Sequence, residues 1–534
     1  KLTSLGRGGA ALALSCGATA TVTDPNGHSH AYRHDDQGHS LSVTEGSSTT
    51  TFAYNADGLV SGVTLPEGNS LTYAYQGGEA RGRGNLLSIS ENAGPRGAEE
   101  PSRVSHFTYD PFFNLLRQVS TPEGLTLNHS LDGRGNVTST STNLPGISLS
   151  YSYNDYGQMT SMTDPLQGAT GYTYHPESSP GGGGAPASAG RRLDGATGGY
   201  LRSVDTGSLA VSYSLYDQAG NLERLSRSDG LSLSSSYDSF NQPTGHSLSC
   251  AGLSPLSGTL SYGRDSNGNI LSWNETWGAL SRQVTSTYDP RNNPLSSTET
   301  GLGTTLYGYD GEDQLTSVTD PLGRRLSLTY NANDLLSSAS LSKESVTTTT
   351  QFAYDGNGNL TAVTDPLGRV TQFTYDGFDR VRSVKDPLNN STVIARAEMG
   401  NLQTLRRLDS AEKLLAQSTV VSDPLGRVLS RSVRDLESNA DVSYTYGYEQ
   451  GGRVVTITDP LGRVSRVTKN QKGQVIQEED AAGNSVEYLY EGGSNRVSQK
   501  IETEKIGPSG SSQTYTTKYE YVQGEKLSKI IENV

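Results

Sequence analysis

Apolar and polar positions alternate along this chain in short runs, and the runs recur. In LTAVT (360–364) and RVTQFTY (369–375) every second residue is apolar, β-branched or aromatic, the period of a strand covered on one face. Between such runs stand DGNGN (355–359) and DPLG (365–368). The first supplies residues that tolerate positive φ, and in the second Pro presets φ and Gly relaxes the exit. Residues 354 to 374 therefore predict two short antiparallel strands and two turns, and no stretch of the pattern is helical.

The unit repeats every 21 residues. Tyr54 and Tyr75, Tyr153 and Tyr174, Tyr216 and Tyr237, Tyr288 and Tyr309, Tyr309 and Tyr330, and Tyr354 and Tyr375 are each separated by 21, and Tyr109 marks a further unit. Tyr448 and Tyr490 lie two periods apart, with Lys469-Asn470 in the slot between. The second turn recurs as DPLGR at Asp320–Gly323, Asp365–Gly368, Asp423–Gly426 and Asp459–Gly462, with weaker forms in TLPEGN (64–69), STPEGL (120–125) and DAAGN (480–484).

Phe352 and Tyr354, Phe373 and Tyr375, Tyr73 and Tyr75, and Tyr151 and Tyr153 share parity, so both rings of each pair leave one face. Successive hairpins are expected to stack these rings at roughly 5 Å steps, each cross-strand pair adding on the order of 0.2–1 kcal/mol. About twenty units of two strands would make roughly 190 Å of sheet. Accumulated twist curls so long a sheet, which predicts an all-β fold wound into a spiral tube or hollow shell. Neighbouring repeats, rather than one core, would stabilise it. The array spans residues 1–534 as a single domain, interrupted by glycine-rich insertion loops at 77–102 and 177–199.

Composition agrees: 62 Gly, 29 Tyr, 32% hydrophobic and only 18% charged residues leave little material for a conventional core. The formal charge of −14 argues against nucleic acid or an anionic membrane as partner, and no apolar run is long enough to span a bilayer. Two cysteines, Cys16 and Cys250, are no disulfide framework. The opening KLTSLGRGGAALALSCGAT superficially has the shape of a lipoprotein signal, but aligning TVTDPNG (21–27) with AVTDPLG (362–368) puts Cys16 at the place of Asn357, in a hairpin turn. The chain begins with Lys1 and ends within an apparent repeat, so it reads as a piece of a longer one.

Candidate chemistry is sparse. His28, His30, His34 and His39 cluster beside Asp35 and Asp36, and His28 and His30 share a strand face, as a metal site would require. Yet His34 stands in the tyrosine slot of the repeat, so repeat drift is preferred and no metal ligand is assigned. The Asp and Arg of DPLGR resemble catalytic pairs, but an Asp opening a turn accepts backbone N–H bonds, and a structural role is assigned. No nucleophile elbow or phosphate loop is present, and no cofactor is expected.

Repeated YDxxGN(L) followed by TDPLGR resembles the YD, or Rhs, repeats of bacterial polymorphic toxins, of the C component of insecticidal toxin complexes, of wall-associated proteins and of teneurins. The resemblance covers about residues 20 to 525. It implies a β-cocoon around a C-terminal toxin; the self-cleaving core and variable toxin domain that follow the repeats in that family are not found here. The expected function is a non-enzymatic, secreted or cell-surface bacterial scaffold that encapsulates a toxin or other cargo. A filament of copies joined end to end and an adhesion module binding glycans are the alternatives.

Overall fold

In a computed structural model the alternating runs are strands and the Gly, Asn and Asp clusters are turns. The structure describes residues 4–7, 10–15, 19–78, 82–97, 100–164, 168–175, 199–207, 209–250, 257–397, 401–491, 495–506, 511–522 and 526–532. Cys16 and, except for Gly199, the 177–199 stretch lie outside these residues.

The repeat containing Tyr354 shows how the sequence builds the fold. Strands Val346–Tyr354, Leu360–Thr364, Val370–Tyr375 and Val381–Lys385 pair antiparallel in chain order, with Phe352 opposite Val363, Val363 opposite Thr371, and Phe373 opposite Val384. Burial alternates along Val370–Tyr375: Thr371, Phe373 and Tyr375 are half-buried while Val370, Gln372 and Thr374 are exposed. The ladder slips at Ala353/Tyr354 and again at Thr374/Tyr375, always as the strand delivers its tyrosine. There Tyr354 faces Leu360 and Tyr375 faces Val381, a β-bulge that sharpens the local twist.

Both turns of the unit share one geometry although their sequences differ. Asp355 N–H donates to Asn359 O at 2.9 Å and Gly358 N–H to Asp355 O at 3.1 Å; Asp365 N–H donates to Arg369 O and Gly368 N–H to Asp365 O, each at 2.9 Å. The fourth position has positive φ, 85° at Gly358 and 78° at Gly368, and where it is not glycine it is mostly Asp or Asn, as at Asp379 (59°) and Asn389 (66°), with Glu412 (63°) in the Asp409 turn. Glycine is thus preferred there, and Asp, Asn and once Glu are tolerated.

The chain divides into two units. The first comprises Lys1–Leu125, Asp265–Leu271 and Val284–Val442; the second comprises Thr126–Arg264, Ser272–Gln283 and Ser443–Val534. In the first unit two passes of ribbon meet edge to edge, because residues separated by 259 to 310 positions bond one another. Asn26 Nδ2 donates to Asp310 Oδ2 at 3.1 Å, Asn333 Nδ2 to Ser48 Oγ at 2.9 Å, and Asn401 Nδ2 to Glu123 O at 3.0 Å. The earlier pass contributes its DPLG-type turns and the later pass its YDxxGN-type turns.

Within 77–102, expected to be an insertion loop, Leu86–Asn92 is a strand pairing with Ser70–Tyr75 and Arg103–Tyr109. LLSISEN keeps the alternating pattern, so only its glycine-rich flanks depart from the repeat. In the second unit Leu201–Asp205 likewise continues the ladder from Gly168–Tyr174. Among the described residues no α-helix occurs, and no helix is long and apolar enough to cross a membrane. Val284 and Val454 are the only buried hydrophobic side chains among them.

Candidate functional site: the repeat wall and its seam

The repeat tyrosines were expected to stack on one another. Instead, tyrosines of successive units sit on alternate strands, Tyr354 and Tyr375 having Leu360–Thr364 between them. That is about 9–10 Å at the strand spacing, too far for ring contact. The stabilising contact is a hydrogen bond. Between Leu360–Thr364 and Val370–Tyr375 the backbone ladder ends at Ala362 opposite Gln372. Beyond that point Tyr375 Oη donates to Leu360 O at 2.8 Å.

The same bond recurs through both units. Tyr75 donates to Val60 O, Tyr153 to Val137 O, Tyr216 to Leu201 O and Tyr330 to Leu315 O, each at 2.8 Å. Tyr174 reaches Met159 O at 2.7 Å, and Tyr237 and Tyr354 reach Leu222 O and Leu336 O at 2.9 Å. Tyr54 reaches Ser40 O at 3.0 Å, and Tyr109 and Tyr288 reach Leu86 O and Ile270 O at 3.1 Å. Among the described residues Tyr309 ends its strand, Gly303–Tyr309, without this bond. Arg396, in the tyrosine slot of a degenerate repeat, substitutes its guanidinium: Nη1 donates to Val381 O at 2.7 Å. Burial raises the phenol pKa at Tyr75, Tyr153, Tyr174, Tyr309, Tyr330 and Tyr375, and pushes Tyr216 up to about 12.

The turn aspartates organise the two ribbon edges. Asp365 Oδ1 accepts the N–H groups of Leu367 and Arg369 at 2.9 Å, and Arg369 Nε donates to Oδ2 at 2.6 Å. Arg324 on Asp320, Arg427 on Asp423 and Arg463 on Asp459 repeat this pairing at 2.5 to 2.6 Å. The Arg369 backbone N–H holds the Asp365 carboxyl below its usual range, and the Arg463 side chain does so at Asp459. These groups are engaged with their own turns.

The seam of the first unit holds residues that the repeat pattern did not single out. Arg96, in the 3-10 turn Pro95–Gly97, donates to Asp355 Oδ2 at 2.7 Å and to Asp379 Oδ1 at 2.6 Å. Asn69 Nδ2 donates to Asp379 Oδ2 at 2.7 Å, Asn357 Nδ2 to Asn69 Oδ1 at 2.7 Å, and the Gly356 N–H to Glu67 Oε1 at 2.8 Å. The only signals in the sequence were the PEGN turn and the GPRG flank, neither of which names a partner.

The histidine cluster separates. His34 ends its strand with Nδ1 3.2 Å from Ser40 Oγ, and His39 pairs with Asp35 at 2.8 Å and stacks on Tyr54 with ring centroids 4.6 Å apart. His28 and His30 turn instead toward Asp24, at 3.2 and 3.3 Å. In the second unit a cleft is lined by Thr170, Thr206, Arg453, Lys469 and Lys472, basic and neutral groups.

Comparison with known proteins places this architecture. The family model described as RHS Repeat matches residues 309–343 and 354–391, and no curated protein matches the chain. Among solved structures, a TcdB2-TccC3-Cdc42 complex matches 98% of this chain with a TM-score of 0.51 at 12% identity. A Photorhabdus luminescens Tc holotoxin pore matches 98% with 0.54 at 11%, and a TcdB2-TccC3 complex 96% with 0.50 at 13%. The chain spans 31%, 32% and 37% of those chains, about a third, and at such identity the likeness is one of fold. The matched segments carry Tyr309, Tyr330, Tyr354 and Tyr375 together with both turn types, and the same hairpin recurs on either side of them. In those two segments the chain is similar to the RHS repeat.

Proposed function

We propose that this chain is a non-enzymatic wall, a run of RHS-repeat ribbon that encloses a polypeptide cargo such as a toxin, in a secreted or cell-surface bacterial protein. The observation that carries the reading is the seam: passes of ribbon in the first unit bond turn to turn along Asn26–Asp310, Ser48–Asn333 and Asn69–Asn357, as a wall that must not leak requires. The fold likeness to toxin-complex structures supports it. A face of half-buried tyrosine, threonine and serine suits an enclosed polypeptide, because it offers hydrogen bonds without strong apolar capture. Cryo-electron microscopy of the natural full-length protein tests the proposal, with closed walls around internal density as the expected image. Continuous fibres would replace it with a filament, and specific sugar binding on a glycan array would replace it with an adhesin.

A further inference from the structure

The turn that opens at Asp24 departs from its counterparts in one respect. Its backbone is the common one: Asp24 N–H donates to His28 O at 2.9 Å, Gly27 N–H to Asp24 O at 3.1 Å, and His28 N–H to Asp24 Oδ1 at 2.8 Å. In the turns of Asp320, Asp365, Asp423 and Asp459 the fifth residue is arginine, whose Nε occupies Oδ2 of the aspartate. Here that residue is His28, an imidazole, and it leaves Oδ2 without a guanidinium.

Around that oxygen three further groups converge. His28 Nδ1 lies 3.2 Å from Asp24 Oδ2, is buried, and has no hydrogen-bond partner. His30 Nε2, from the strand that follows, lies 3.3 Å from the same oxygen. Glu312 arrives from the later pass of the ribbon, in the YDxxGN-type turn that Asn26 locks in place through Asp310 Oδ2 and the Gly311 N–H, both at 3.1 Å. Donor atoms of Asp24, His28 and Glu312 all lie within 4.8 Å of one another.

We propose that Asp24, His28 and Glu312, with His30 beside them, form a site for a divalent transition-metal ion of the zinc class that joins the two passes of ribbon. Two imidazoles and two carboxylates are a zinc-type donor set, and the two anions balance a divalent charge. Zinc holds nitrogen and oxygen ligands at about 2.0–2.2 Å, which sets tetrahedral ligands about 3.4 Å apart. The Asp24–His28 and Asp24–His30 separations already match that spacing. Glu312, on a side chain with three rotatable bonds, completes the set with a small rotamer adjustment. The role is structural: a site fed by both passes adds its binding free energy to the closed seam.

The test is equilibrium dialysis of the 534-residue chain against zinc, with the absorption spectrum of the cobalt-substituted protein reporting coordination. The expected result is one ion per chain, a cobalt spectrum of low-symmetry nitrogen and oxygen ligation, and a melting temperature that rises with zinc concentration. His28→Arg and Glu312→Gln should each weaken binding at least about tenfold, a loss that even outer partners of metal ligands produce. His28→Arg rebuilds the Asp–Arg turn used elsewhere, so in chelator it should melt no lower than the parent, which separates lost binding from lost folding. Absence of zinc binding by the parent chain, or undiminished binding in both variants, overturns the proposal; histidines held only as ion pairs of Asp24 would give that second result.

Discussion

Tyr375 shows what a single residue contributes. Its ring covers one face of the sheet, and its hydroxyl satisfies the Leu360 carbonyl where the backbone ladder has ended. Tyr375→Phe keeps the ring and orphans that carbonyl, so it should destabilise by about 1 kcal/mol or somewhat more, read as a lower urea midpoint. Tyr309→Phe, at a repeat tyrosine without this bond, should be close to neutral in the same assay. The spacing of the tyrosines and their shared face were legible in the sequence; the hydroxyl's partner was not, because parity does not reveal where a ladder stops. Titration at this scale has a definite sign. Turn carboxyls such as Asp132, Asp265 and Asp480, lowered first by Asn136, Asn269 and Asn484, stabilise the fold above the unfolded carboxylate range, and that contribution is lost as pH falls through their folded values. The buried phenols act oppositely: their contribution is complete below about pH 10 and is lost as pH rises toward the value of about 12 at Tyr216. Circular dichroism melts across pH should show a plateau between those limits, falling at both ends.

Among elements, the hairpin was the most readable. Alternation in VTQFTY and LTAVT gives the strands, and DGNGN and DPLGR give turns whose common geometry follows from an aspartate at the first position and a positive φ at the fourth. The meeting of turns was not readable, since a 21-residue period states how a unit is made and not how many units complete one pass. Arg96 illustrates the gap: it stands in a glycine-rich flank, yet it bridges Asp355 and Asp379 in the later pass. With the Asp355 carboxyl only 9% exposed, Arg96→Ala leaves a largely buried anion and should cost about 2 kcal/mol. A double-mutant cycle with Asp355→Asn should recover a favourable coupling energy; strict additivity of the two effects would show that the bridge contributes nothing.

At the scale of the molecule, the small number of buried hydrophobic side chains separates this protein from a globular one of equal length. Its cohesion rests on ladders, phenol-to-carbonyl bonds and turn carboxylates repeated many times, each of modest worth. Among the described residues Val284 and Val454 are the only buried hydrophobic side chains. Unfolding should therefore release little apolar surface to water, and scanning calorimetry should find a heat-capacity increment below the ~12–15 cal/mol/K per residue typical of globular domains. A small increment flattens the dependence of stability on temperature. Such a ribbon would soften slowly on warming and would resist cold, holding its form across seasons in which an oil-cored protein of similar stability would weaken.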